Sequence, residues 1–426
     1  LVSILEGIRI LDWTIWQQGP SATAMLGDMG AEVIKLEHVS GDPSRGILDI
    51  LDKMVDIPLS WNFYFEYLNR NKKSIAIDLK GPKGKEIVYR MIEKCDVFAQ
   101  NFRKGVAERL GLGYEDLKKY NGKLIYATAS GYGPDGPDSA EPSFDYMGLA
   151  RSGIMNCLGE PDTPPTVITG GVADQMGAIM LAYGIMAAII ARERHGIGQM
   201  VDISHLGSMI HLQGLNVQAG LSIGQGLPKV YRSEAGNPLW NHYKCADGKW
   251  ICLGMLQSDR YWHDFSAAMG ISDLEHDPRF KDASSRKGNR TQLVRILDER
   301  FATLPRDEWV KILHDGGDFI FTIVNSIEEL SQDPQALINR YIVNHPHPVH
   351  GNMKVTGFPV GFSGTPCSIH KEAPKLGENT REVLEKYCGY SRAEIEEMLK
   401  EKVVSSSEPA YTTGSCGGDA AQESGG

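Results

Sequence analysis

The feature that most limits the folds open to this chain is a strand–helix–strand alternation that repeats from Ile8 to Ala129. Ile8–Asp12 reads as a short buried strand. Gly19 and Pro20 follow, then a helical stretch over Ser21–Met29, a break at Gly30–Ala31, and a second strand over Glu32–Glu37. This is a βαβ unit. The next round sets a strand at Ser74–Asp78, a helix at Lys83–Lys94, a strand at Asp96–Gln100 and another at Lys123–Ala129. Strands joined through helices pair in parallel, and the helices cover both faces of the sheet. The expected fold class is therefore α/β, with a Rossmann-like parallel sheet in a large domain.

A βαβ start invites the question of a dinucleotide site. That site needs G-x-G-x-x-G directly after the first strand, so that the backbone can approach a pyrophosphate. Here Gly19, Gly27 and Gly30 are eight and three residues apart, and Gln17-Gln18 occupy the turn. A nicotinamide cofactor is disfavoured. The Gln17 and Gln18 amides nevertheless sit at the carboxyl end of the first strand, where open α/β sheets bind ligands.

The texture changes near residue 222. Gly224, Gly226 and Gly236-Asn-Pro238 mark a linker. A hairpin is expected over His242–Leu256 with Asp247-Gly248 as its turn, then helices at Asp259–Met269, Arg290–Ala302 and Arg306–Asp315. The domain plan is residues 1–222 as the first part of the large domain and 225–330 as a smaller α+β domain. Residues 331–404 return to the large domain through a helix at Arg392–Lys402, and 405–426 form a disordered tail carrying Cys416.

At 426 residues the chain is too long for one compact core. Its formal net charge of −10 argues against nucleic acid as a partner. The seven cysteines form no C-x-x-C pair, which fits neither a zinc site nor a disulfide framework and suits a cytoplasmic location. The longest apolar run, Met176–Ala191, is interrupted by glycine and falls short of a membrane span, so no membrane partner is expected. Against this acidic background, Lys72-Lys73 and Arg103-Lys104 with Arg109 are two basic clusters at strand ends, suited to a ligand with several phosphates.

Gly170-Gly171-Val-Ala-Asp174 leads into that apolar helix. From the residues alone Asp174 is either a helix cap or a nucleophile, since a helix N-terminus favours the ionised carboxylate that both roles need. No serine or cysteine nucleophile elbow and no H-E-x-x-H metal site competes with it, and no metal is expected.

The motifs taken in order resemble the class III CoA-transferases, which include formyl-CoA, carnitine and aryl-acid CoA-transferases. The matching segments include Leu5–Asp12, Leu26–Glu37, Leu68–Ser74, Asn101–Arg103, Arg109–Leu112, Gly131–Gly133, Asp277–Phe280 and Ala373–Arg381, so the resemblance spans about Leu5–Val404. It implies that Asp174 is the catalytic nucleophile, and that CoA contacts fall on Gln17, Gln18, His38, Asn71, Lys72, Asn101, Phe102, Arg109 and Tyr132. His38 stands where some members have arginine, and Ser130 where one subgroup has lysine. Ala235-Gly236-Asn237 is at most a reduced form of the glycine-rich active-site loop.

The resemblance further implies that no cofactor is held permanently, that CoA thioesters and carboxylic acids are the substrates, and that the chain forms an interlocked, ring-like dimer, homomeric or with a homologous subunit. Trp13–Pro20 looks most like transferases of the benzylsuccinate type, with succinyl-CoA as donor. Two alternatives stay open. One is a non-catalytic CoA-binding partner subunit. The other is an α-methylacyl-CoA racemase of the same fold, whose His-Asp pair here reads Phe144-Asp145; a phenyl ring cannot exchange a proton.

Overall fold

A computed structural model describes residues 2–53 and 61–407. Its strands are β1 (Arg9–Trp13), β2 (Glu32–Glu37), β3 (Lys72–Ile77), β4 (Val97–Gln100), β5 (Ile125–Ser130), β6 (Gln199–Ser204), β7 (Trp240–Lys244), β8 (Trp250–Gly254), β9 (Phe321–Val324), β10 (Ile342–His347), β11 (Gly351–Thr356) and β12 (Val404–Ser405). The main sheet has the order β12-β3-β2-β1-β4-β5-β6. Its first six strands in sequence are parallel, in the 3-2-1-4-5-6 order of the doubly wound fold. The order reverses between β1 and β4, which makes their carboxyl ends a crevice.

Both sheet faces are buried. On one side Leu11, Ile34, Ile75 and Phe98 pack with helix Pro82–Ile92 and the C-terminal helices. On the other, Ile10, Val33, Val97 and Ala127 pack with helices Gln18–Asp28 and Val172–His195. This explains why the strands read as continuous apolar runs rather than as alternation. β12 closes the β3 edge in antiparallel sense. Its two residues, 404 and 405, straddle the expected start of the tail. Residues 408–426, with Cys416, lie outside the described residues.

Helix Val172–His195 has 24 residues, longer than the apolar run suggests, because Gly177 and Gly184 are absorbed into it. By length and composition it could cross a membrane. One face, with Ala178, Leu181, Ile185 and Ala188, is buried against the sheet. The opposite face leaves Ile179, Tyr183 and Ile190 exposed.

A second core lies over the antiparallel sheet β7-β8-β9. Tyr243 of β7 and Phe265, Phe301 and Trp309 from helices Ser258–Ala268, Arg290–Phe301 and Arg306–Gly316 fill it. Gly248, in the hairpin turn, has φ +80. β10 and β11 form a separate hairpin before the chain rejoins the main sheet.

Candidate active site

A cleft of about 770 Å³ opens at the β1/β4 switch point. Its wall is built from strand ends: Ile15 and Trp16 after β1, Gln100–Phe102 at β4, Ser130 and Gly131 at β5 and His205 after β6. Asp174 joins them from the start of helix Val172–His195.

Asp174 is not the cap of that helix. The cap position is Gly171, at φ +71 after Gly170 at φ +94, and Asp174 is the third helical residue. The two left-handed glycines turn the chain sharply into the helix. A Cβ on Gly171 would also meet the Gln17 amide oxygen at 2.2 Å. Capping falls to Asp145, whose Oδ1 accepts from the backbone N–H of Ala173 at 2.6 Å and of Asp174 at 3.1 Å. The Asp174 carboxylate is thereby left free of the helix's own N–H groups. Among the described residues it has one side-chain partner, His205, with Nε2 at 2.8 Å from Oδ1. Burial and then the negative charge of Asp174, against the two N–H donors, push the Asp145 carboxyl above its ordinary value. Burial, followed by the charges of Asp174, Asp42 and Asp145, pushes the Tyr64 phenol up.

The loop between β1 and helix Gln18–Asp28 is held from beneath by buried charge. Asp12 accepts from Lys72 Nζ at 2.8 Å and from the Thr23 hydroxyl at 2.8 Å. Lys35 Nζ donates to Thr14 O at 2.9 Å and to Asp42 at 2.8 Å. Burial works against the Asp12 carboxylate, but Lys72 and Lys35 outweigh it and hold it below the usual carboxylate range. Burial pulls the Lys72 ammonium down to about 8, which leaves it charged at neutral pH. Above this base, Asn101 Oδ1 accepts from Ile15 N and Asn101 Nδ2 donates to Ile15 O, both at 2.8 Å. The loop is thus tied to β4, and Trp16 is held at φ +64. For a bulky residue that conformation costs ~1–2 kcal/mol.

Of the residues singled out in the sequence, Gln18, Asn101, Phe102, Arg109 and Asp174 line the cleft. Gln18 is 4% exposed and its Nε2 has no hydrogen-bond partner among the described residues. Gln17 Nε2 donates to Gly171 O at 3.1 Å and supports the turn that leads to Asp174 from behind. Phe102 stacks on Trp13, with ring centroids 4.2 Å apart.

Besides Gln17, the expected contact residues His38, Asn71, Lys72 and Tyr132 are not in the cleft wall. His38 is exposed beyond β2 and bonds Ser40. Tyr132 lies under the Arg151 guanidinium. Asn71 is buried, donating to Asp28 and Ser368 O and accepting from the N–H groups of His370 and Lys371. Lys72 is buried on Asp12, and Lys73 pairs with Glu32 and Glu382. The two basic clusters expected to converge are placed apart, only the second of them lining the cleft. Lys72 and Lys73 begin β3, two strands from the switch point and at its amino end, while Arg103, Lys104 and Arg109, after the carboxyl end of β4, supply the positive lining. Trp61, Phe63 and Tyr67 face a smaller hollow beside β10 and β11, and Trp16 reaches the main cleft with Phe144 at 6.2 Å edge to face.

Sequence reasoning missed His205, Ser143 and the capping role of Asp145. A signal for His205 was present: Gln199–Ser204 is a strand, and His205 begins the next helix at the sheet's ligand-binding edge.

A model of CoA-transferase family III matches residues 5–380. The chain is 33% identical over 405 residues to the cinnamoyl-CoA:phenyllactate CoA-transferase of Clostridium sporogenes, covering 94% of this chain and 97% of that one. It is 33% identical to the succinyl-CoA:glutarate CoA-transferase of Mus musculus, covering 94% and 90% respectively. Among solved structures, a CAIB/BAIF family protein from Brucella suis superposes with a TM-score of 0.80 at 28% identity, over 93% of this chain and all of that one.

Proposed function

This chain belongs to CoA-transferase family III and is a CoA-transferase acting on CoA thioesters, and from that premise we propose that Asp174 is its nucleophile and passes CoA through a covalent aspartyl thioester. The observation that carries this reading is the Asp174 carboxylate in the switch-point cleft, released from capping by Asp145. One carboxylate oxygen attacks the donor thioester carbonyl, and the C–S bond breaks to give a mixed anhydride and CoA thiolate. The thiolate attacks the Asp174 carbonyl carbon and the donor acid leaves. The acceptor carboxylate then displaces thiolate from the aspartyl thioester, and thiolate attacks the new anhydride at the acceptor's acyl carbon. Asp174 is regenerated. No water or proton is consumed, so a cleft that excludes water protects both anhydrides.

Arg103, Lys104 and Arg109 supply charge for the CoA phosphates. The Gln18 amide packs against Gly177, one helical turn from Asp174, with a donor unused by the protein. Trp16 and Phe144, the latter 56% exposed, set an aromatic edge at the cleft. These rings suit an acceptor acid with an aryl or other bulky group, such as benzylsuccinate, and the succinyl and cinnamoyl donors named for the relatives are the first to try.

Two measurements test the reading. Chromatography of CoA esters formed from paired donor and acceptor acids is expected to show fastest transfer to arylalkyl acids; equal rates with small aliphatic acids would remove the aromatic assignment. Mass spectrometry after incubation with acyl-CoA and hydroxylamine is expected to find a hydroxamate on Asp174, and an unmodified peptide would exclude the covalent route.

The exposed face of helix Val172–His195, and helix Gly214–Ile223 with no buried residue, leave Tyr183, Leu215, Leu221 and Ile223 in solvent. Apolar area of this kind is usually covered. Its proposed partner is a second copy, in the interlocked dimer that the sequence resemblance implies. Sedimentation is expected at twice 46.9 kDa, and a stable monomer at micromolar concentration would reject it.

A further inference from the structure

His205 occupies a position that capping and packing do not require. It opens helix His205–Leu212, but the cap of that helix is the Ser204 hydroxyl, which accepts from Gly207 N at 3.0 Å. The imidazole instead points at the nucleophile. Nε2 lies 2.8 Å from Asp174 Oδ1, and Nδ1 lies 3.2 Å from the Ser143 hydroxyl. The ring is 4% exposed, and Gly148 makes room for it. A Cβ on Gly148 would come within 2.8 Å of His205 Cβ and 2.9 Å of Ala173 Cβ. A carboxylate accepts only, so the proton of this contact is on Nε2. In the neutral ring Nδ1 then accepts from Ser143, which favours that tautomer.

We propose that His205 is a further catalytic residue. Its Nε2–H holds Asp174 Oδ1, so that Oδ2 is the attacking oxygen, and then serves as the oxyanion donor on Oδ1. The proposal rests on Asp174 being the nucleophile. Once Oδ2 is acylated, Oδ1 is the carbonyl oxygen of the anhydride. When thiolate attacks that carbonyl carbon, a C–S bond forms and the C=O electron pair moves onto Oδ1. The pair returns as the bond to the donor carboxylate breaks. The same holds when the acceptor carboxylate attacks the aspartyl thioester. His205 keeps its proton throughout, and its donor is already in place when the charge develops, as an oxyanion hole requires.

The test compares His205→Leu, which removes the donor, with His205→Gln, which can present an N–H at similar reach. Loss of one such donor typically lowers kcat by about 10²–10³-fold. His205→Leu is expected to show that loss with KM for the CoA ester changed less than about threefold, and His205→Gln to regain at least tenfold of it. Ser143→Ala, which leaves the imidazole in place but removes its tautomer partner, is expected to lower kcat several-fold at constant KM. It is read if the Leu variant does not fold. A His205→Leu enzyme within threefold of the parent kcat overturns the proposal. So does a folded Gln variant as slow as the Leu variant, or a Ser143→Ala enzyme with unchanged kcat where Leu cannot be measured. Should Asp174→Ala retain transfer, the reading of the whole site fails; should Asp174 prove essential while His205→Leu turns over normally, this proposal alone fails.

Discussion

Asp174→Ala is expected to lose at least about 10⁴-fold in kcat while binding acyl-CoA with little change in Kd, because removing a nucleophile leaves binding and electrostatics without a covalent path. The fold is expected to survive. Asp145 caps the helix through backbone N–H groups that the substitution leaves in place. The side chain's one hydrogen bond is to His205, so what is lost is a single contact. Asp174→Asn is the companion variant: it keeps an acceptor for His205 and removes the nucleophilic carboxylate. Calorimetric titration with the CoA ester, alongside chromatographic turnover, separates binding from chemistry. Transfer within tenfold of the parent in either variant, after exclusion of deamidation in the Asn protein, would reject Asp174 as nucleophile.

The second large effect is on stability. Lys72→Met is expected to cost about 3–5 kcal/mol, the usual result of removing one partner from a buried ion pair. Asp12 and Lys72 side chains are both fully buried. The ammonium also donates to Pro20 O at 2.9 Å and Asn69 Oδ1 at 3.1 Å, so the substitution removes a donor from three acceptors at once. Denaturant midpoints at constant m-value measure the loss, and the double variant Lys72→Met/Asp12→Leu is expected to recover part of it. In the fraction that folds, KM for the CoA ester is expected to stay within about twofold of the parent. The reverse pattern, a raised KM with unchanged stability, would return Lys72 to the phosphate-binding role that the sequence resemblance implies.

Lys72 also shows where reading a sequence stops. A pair of lysines at a strand end in an acidic protein looks like ligand-binding surface, and the same pattern at Arg103-Lys104 does reach the cleft. The two cases differ in strand order. β4 borders the switch point and Arg103-Lys104 follow its carboxyl end, whereas Lys72 and Lys73 begin β3 beyond β2, with Lys72 buried on Asp12 and Lys73 paired with Glu32 and Glu382. Asp174 has the same ambiguity in reverse. Locally it reads as cap or catalyst, and the choice turns on Asp145, 29 positions earlier, taking over the backbone N–H groups.

What the sequence by itself determined was the class of fold and strands β1 to β5, because apolar periodicity and glycine placement act over a few residues and are written locally, and, through its motifs taken in order, the resemblance to the family. It therefore also located the loops at strand ends, where open α/β sheets bind ligands. Which of the charged and polar groups near those loops face the cleft was decided by tertiary structure alone. Lys72 meets Asp12 from 60 positions away and His205 meets Asp174 from 31. The cost of burying a charge depends on the partner that packing brings to it, and that partner leaves no mark on the local sequence.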